Sequence, residues 1–139
     1  MQLVAYRPEY RIYLGLLHNH VVYERRAEQT LAQDMPYFLA DWQRVLQQLR
    51  PGFTMLCDVS RTLGPNVRLL PLYVTLRELL KAAGLAAMAE VHPFSLTMQP
   101  LSRALGERLA LPVFRFTDRA EAERFLQEHN APVTSGFVA

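Results

Sequence analysis

Pro51-Gly52-Phe53-Thr54-Met55-Leu56-Cys57-Asp58-Val59-Ser60 joins a turn signal to a short, almost unbroken apolar run and then to a polar loop. Phe53 to Cys57 shows no alternation of apolar and polar residues, so it reads as a strand covered on both faces, as in a parallel sheet. Parallel neighbours need crossover segments, and helical patterns stand on both sides of this run. Before it, Phe38, Trp42, Val45, Leu46 and Leu49 fall on one face of a helix. Asp34 can cap that helix, Pro36 is tolerated in its first turn, and Pro51-Gly52 stops it. After it, a loop from Asp58 to Asn66 leads to Leu69, Tyr73, Leu76, Leu80 and Ala83, again at helical spacing, with Gly84 as the C-terminal stop. Pro71 either belongs to the first turn, with the helix starting near Arg68, or kinks a longer helix.

Further out, Tyr10 to Leu17 and Val21-Val22-Tyr23 flank His18-Asn19-His20, where Asn accepts a turn conformation, and so predict a β-hairpin. Leu85 to Val91 reads as a strand closed by His92-Pro93, and Thr97 as the cap of a short helix through Leu109, broken by Pro112. Val113-Phe114-Arg115-Phe116 is the last expected strand. Asp118 with Glu121 three residues on resembles a capping box, opening a helix whose inner face is Ala122, Phe125 and Leu126. The expected fold is therefore α/β: a mixed, largely parallel sheet flanked by about four helices, with an N-terminal β-hairpin. Residues 1–130 are expected to form one domain and 131–139 a flexible C-terminal tail. Ligands of such sheets gather at the carboxyl ends of strands, here Asp58–Asn66, His92–Thr97 and Thr117–Asp118.

The chain has 139 residues, 50% hydrophobic and 20% charged, with one cysteine. That composition excludes a disordered, collagen-like or disulfide-stapled chain. No segment offers the roughly 20 apolar residues of a membrane helix, and no secretory signal pattern opens the sequence, so a cytoplasmic protein without an integral membrane segment is expected. Of the 15 Lys and Arg residues only Lys81 is a lysine, and the net charge is +2. Arg25-Arg26, Arg44, Arg50, Arg61, Arg68 and Arg77 are interrupted by acids and spread over several elements, which reads as solvated faces and argues against nucleic acid.

Candidate chemistry centres on the loop after the central strand. Asp58, at a strand end, could act in phosphoryl transfer, but the second Asp such sites use two residues later is Ser60; the simpler reading is a carboxylate that fixes its loop. Ser60, Arg61, Thr62 and Asn66 combine hydroxyls, a cation and a helix start, the ingredients of a small anion or phosphorylation site. His92 is a weaker additional candidate, and a hydrolase would require it to converge with Asp58. His18 and His20 would share a face on a regular strand, yet two ligands make a poor zinc site and both flank the turn, so they read as solvated. Cys57 reads as a small buried hydrophobe. Tyr37, Phe38, Trp42, Leu72, Tyr73 and Leu76 could line an apolar ligand pocket, but their helical spacing favours ordinary core. No metal and no cofactor are expected.

The segments Pro51 to Ser60, Ala86-Ala87-Met88-Ala89-Glu90-Val91, and Val113-Phe114-Arg115-Phe116-Thr117-Asp118-Arg119-Ala120-Glu121-Ala122-Glu123-Arg124-Phe125-Leu126 resemble bacterial STAS/SpoIIAA-like domains over about residues 10–129. The resemblance implies a non-enzymatic regulatory module with a protein partner, a homodimer being compatible with it. By way of the CRAL-TRIO domains that share the fold, it also implies a carrier or sensor of a small apolar ligand. Anti-sigma-factor antagonists of this group carry a phosphorylated serine in an Asp-Ser-Ser/Thr-Gly motif. Here the corresponding stretch reads Leu63-Gly64-Pro65-Asn66-Val67, and neither Ser60 nor Thr62 occupies the motif position.

Overall fold

A computed structural model describes residues 1–26, 35–61, 69–93 and 111–129. Six strands form one mixed sheet in chain order: β1 (Gln2–Tyr6), β2 (Tyr10–Gly15), β3 (His20–Arg25), β4 (Thr54–Asp58), β5 (Ala87–Val91) and β6 (Val113–Phe116). The pairs β1–β2 and β2–β3 are antiparallel, and β3–β4, β4–β5 and β5–β6 are parallel. The described helices are α1 (Phe38–Leu46), α2 (Leu70–Ala83) and α3 (Arg119–His129). The helix expected from Thr97 to Leu109, the cap at Asp34, and the site candidates Thr62 and Asn66 lie outside the described residues, as does the tail 131–139.

The hairpin forms where expected. Gly15 pairs with His20, and Asn19 closes the turn at φ 51°. Its side chain also clamps the end of the first crossover: Asn19 Nδ2 donates to Arg50 O at 3.0 Å, and Arg50 N donates to Asn19 Oδ1 at 2.8 Å. The sequence reading missed β1. A register shift between Leu3 and Ala5 breaks its period of two, and as an edge strand it buries little beyond Ala5.

The sheet has two unequal faces. On the first, α1 and α2 cover Tyr10, Ile12, Leu14, Val21, Tyr23, Met55 and Met88. Phe38, Trp42 and Val45 of α1 are wholly buried there at the expected spacing, and so are Leu76 and Leu80 of α2, so the aromatic set is core rather than a pocket. Tyr37 is the exception; it is exposed, with the Arg7 guanidinium 4.4 Å over its ring. Pro71 stands in the first turn of α2, which resolves its two readings, and the helix ends at Gly84 in the left-handed conformation. Asp41 is buried beneath α1, where Arg7 grips it through two nitrogens and the Tyr10 hydroxyl donates to it at 2.6 Å, pinning α1 to the β1–β2 turn.

On the second face only α3 packs, through Ala122 and Leu126 against Leu56, Ala87, Ala89 and Val91. The alanines that make β5 a weak strand by propensity have a reason here: small side chains let the helix approach the sheet closely. Asp118 caps α3, its Oδ1 accepting from Ala120 N at 3.3 Å. Phe125 is only partly buried and stacks on Phe114 and Phe116 at the β6 edge. Among the described residues no helix is long and apolar enough to cross a membrane.

Candidate functional site

Because α3 covers β4 to β6, the second face of β2 and β3 is left without a helix among the described residues. The gap is an open groove of about 670 Å³. Its floor is Tyr13, Val22 and Leu56 from three successive strands, and Leu126 of α3 forms one wall. Polar groups stand at its rim: His18 and His20 toward the hairpin turn, and Glu24, Arg119 and Glu123 toward the helix. A mostly apolar cavity with a few convergent polar groups is the usual make-up of a small-ligand site.

Arg119, the first residue of α3, organises the polar side. Its Nη1 donates to Glu24 Oε2 at 2.6 Å and to Asp58 Oδ2 at 3.1 Å, and its Nε donates to Glu123 Oε1 at 2.8 Å. One guanidinium thus ties β3, β4 and α3 together. The other oxygen of Asp58 faces its own loop, accepting from Ser60 N at 2.9 Å and Ser60 Oγ at 2.5 Å. Asp58 is therefore a loop-fixing carboxylate, as its place at a strand end suggests. Ser60 and Arg61 are both exposed.

Of the two histidines expected to be solvated beside the turn, one departs from that expectation. His18 is exposed, but His20 begins β3, is partly buried, and shares a 2.7 Å hydrogen bond between Nδ1 and Thr54 Oγ1. Burial lowers its pKa below the ordinary histidine value; the Thr54 bond and Glu123 oppose the shift, while His18 adds to it. No three His, Cys, Asp or Glu side chains among the described residues converge to hold a metal.

His92 and Asp58 stand at neighbouring positions of adjacent strands but on opposite faces of the sheet. Backbone pairing of His92 N with Phe116 O at 2.9 Å extends the β5 ladder and turns the imidazole to the first face. There its Nε2 lies 3.2 Å from Glu90 Oε1, and Arg77 of α2 donates to Glu90 Oε2. Asp58 points to the second face, so the sheet separates the pair a hydrolase would need. Cys57 lies between Tyr23 and Glu90 in register and is buried. Burial, with the Glu90 carboxylate next to it, pushes the thiol far above its ordinary value, leaving an inert side chain.

The arginines also correct the sequence reading. Arg25 and Arg77 are buried on the first face rather than on solvated surfaces. For Arg77 the signal was Glu90, an acid inside an apolar strand, since a buried carboxylate demands a cation nearby. No protein-family model, curated protein or solved structure matches the chain.

Proposed function

We propose that this chain is a non-enzymatic regulatory module of the STAS-like type, in which the groove takes up a small, largely apolar molecule and the loop after β4 presents a surface to a protein partner. The observation that carries the reading is Arg119. It lines the groove and holds Asp58, the residue that fixes Ser60. A ligand group that draws Arg119 away would release Asp58 and so alter the exposed loop.

The resemblance to STAS/SpoIIAA-like domains supports the regulatory half of this reading. The apolar floor of Tyr13, Val22 and Leu56 supports the ligand half. Function here is argued from the groove and its rim, since one fold hosts many activities.

The test has two arms. Native mass spectrometry of protein purified from its own host should show added mass that is lost in Leu126→Trp, a change that fills the groove from the helix side. Partner capture should weaken with Ser60→Ala and with Arg119→Met. A wild-type protein that always carries its bare chain mass and binds no apolar probe in a Leu126-dependent way rules out the ligand half. Unchanged recovery of every partner by both Ser60→Ala and Arg119→Met rules out the regulatory half.

A further inference from the structure

The face opposite the groove holds a second set of chemistry-bearing side chains, at the carboxyl ends of β3 and β5. Arg25 is the last residue of β3 and is only 1% exposed. Among the described residues its Nε and Nη2 have no hydrogen-bond partner, and no carboxylate forms an ion pair with it. Those two nitrogens form the side-on edge of the guanidinium. The same edge of Arg7 holds Asp41 bidentately in this protein, Nε at 3.0 Å and Nη2 at 2.9 Å from the two carboxylate oxygens. Arg25 presents the same fork, buried and with no partner among the described residues.

Its described neighbours supply little negative charge. The Arg25 guanidinium carbon lies 5.9 Å from the Tyr73 ring centre, and Tyr73 stands one helical turn before Arg77 on α2. Arg77 is paired with Glu90 through Nη2, but among the described residues its Nη1 is buried without a partner, and so is Nδ1 of His92. Among the described residues, this face thus holds two buried guanidinium groups and one buried carboxylate. Cys57, held neutral by burial, supplies no second anion. A buried ion without a counter-charge is costly enough that native proteins pair it or bind something to it.

We propose that Arg25, on the same face of the sheet as Arg77 and His92, anchors a second ligand site that takes one oxyanion, the carboxylate or phosphate group of a small molecule, on its Nε/Nη2 edge. Planar two-point recognition is what a guanidinium does best with either group. The site lies on the other face from the groove, at the strand ends where open α/β sheets bind ligands. It stands independently of any occupant of the groove.

The experiment follows thermal unfolding of the full chain in inorganic phosphate, in acetate and in chloride at matched ionic strength. Tm of the wild type should rise saturably in phosphate or acetate, by about 8 °C at a concentration 100-fold above the dissociation constant. Which of the two acts identifies the oxyanion. Arg25→Met should abolish the rise while unfolding in chloride no lower than the wild type, because an uncompensated charge has been removed. Arg25→Lys keeps the charge without the fork and should bind at least about tenfold more weakly. A wild-type Tm that responds to phosphate and acetate no more than to chloride overturns the proposal, and so does an undiminished response in either variant.

Discussion

Glu90→Gln is the sharpest probe of the buried charges. Gln keeps the volume of Glu in the middle of a strand flanked by β4 and β5's other neighbour β6, so the sheet ladders survive. What is lost is the charge that Arg77 Nη2 and His92 Nε2 address, in a place where the side chains of Arg77 and Glu90 are 9% and 4% exposed. Arg115, with Nε 3.9 Å from the carboxylate and more exposed, can turn to water; Arg77 cannot. Breaking one side of such a pair costs about 3–5 kcal/mol, most of it from the cation left behind. For a domain of this size that lowers Tm by about 10–15 °C, and it is a large share of a total stability of about 5–15 kcal/mol. Urea unfolding at neutral pH reads the loss directly. The double variant Glu90→Met/Arg77→Met removes both charges and should recover most of it, since apolar replacement of a whole buried pair is close to neutral. A Glu90→Gln cost below about 1 kcal/mol, or a double variant no better than the single, would refute the view that Arg77 depends on Glu90. Binding of an apolar probe in the groove should be unchanged in either variant that folds, because the network lies on the other face.

Three further outcomes are expected. Burial raises the Asp41 carboxyl, but the hydrogen bonds from Arg7 and Tyr10 outweigh it and leave the pKa below 3.8; its stabilisation is present above that value and is lost as pH falls through the lower folded value, so Asp41→Asn should cost about 2–3 kcal/mol at pH 7 and flatten the acid limb of the stability profile, and an unaltered limb contradicts this. His20 is held below 6.5 by burial, so the unfolded chain takes up the proton first and stability declines as pH drops under 6.5; His20→Gln should remove that part of the decline between pH 7 and 5 in denaturant midpoints, and an identical slope would count against it. Gly84 sits at φ +94°, and a Cβ there would meet Pro51 Cα and Cβ at 2.9 Å, so Gly84→Ala should cost about 2–3 kcal/mol in urea unfolding; a change within about 0.5 kcal/mol would mean the Pro51 turn yields freely.

The elements that could be read from sequence are those whose local chemistry and tertiary role agree. Phe53 to Cys57 reads as a buried strand because nothing in it needs water, and Asn19, Gly84 and Asp118 mark chain reversals through backbone conformations or caps that their neighbours do not supply. Where the two levels part, the reading fails. Gln2 to Tyr6 lacks a clean period because of its bulge, and its pairing with β2 is a tertiary fact. Asp58 and Ser60 could be named as a pair from spacing alone, but Arg119, which links them to the groove, is 61 residues from Asp58 and looks like any helix-surface arginine. Arg25 and Arg77 resemble the solvated arginines around them, since burial of a charge depends on what the rest of the chain folds over it.

Cys57 and Asp58 show how closely the two candidate sites are bound to one another. They are successive residues of β4, and alternation sends Cys57 to the cationic cluster and Asp58 to the rim of the groove. In β3 the same parity places Glu24 on the groove side and Arg25 on the cluster side, and in β5 it turns Glu90 to the cluster and Ala89 to α3. A shift of one residue in the pairing of β4 would bury Asp58 against α2 and expose Cys57 to Arg119, so both sites would be lost together. The apolar rows Met55–Met88 and Leu56–Ala89 forbid that shift, because it would also exchange the faces that α1, α2 and α3 cover. The central strand therefore holds charged groups at opposite faces of its carboxyl end through the same hydrophobic register that builds the core.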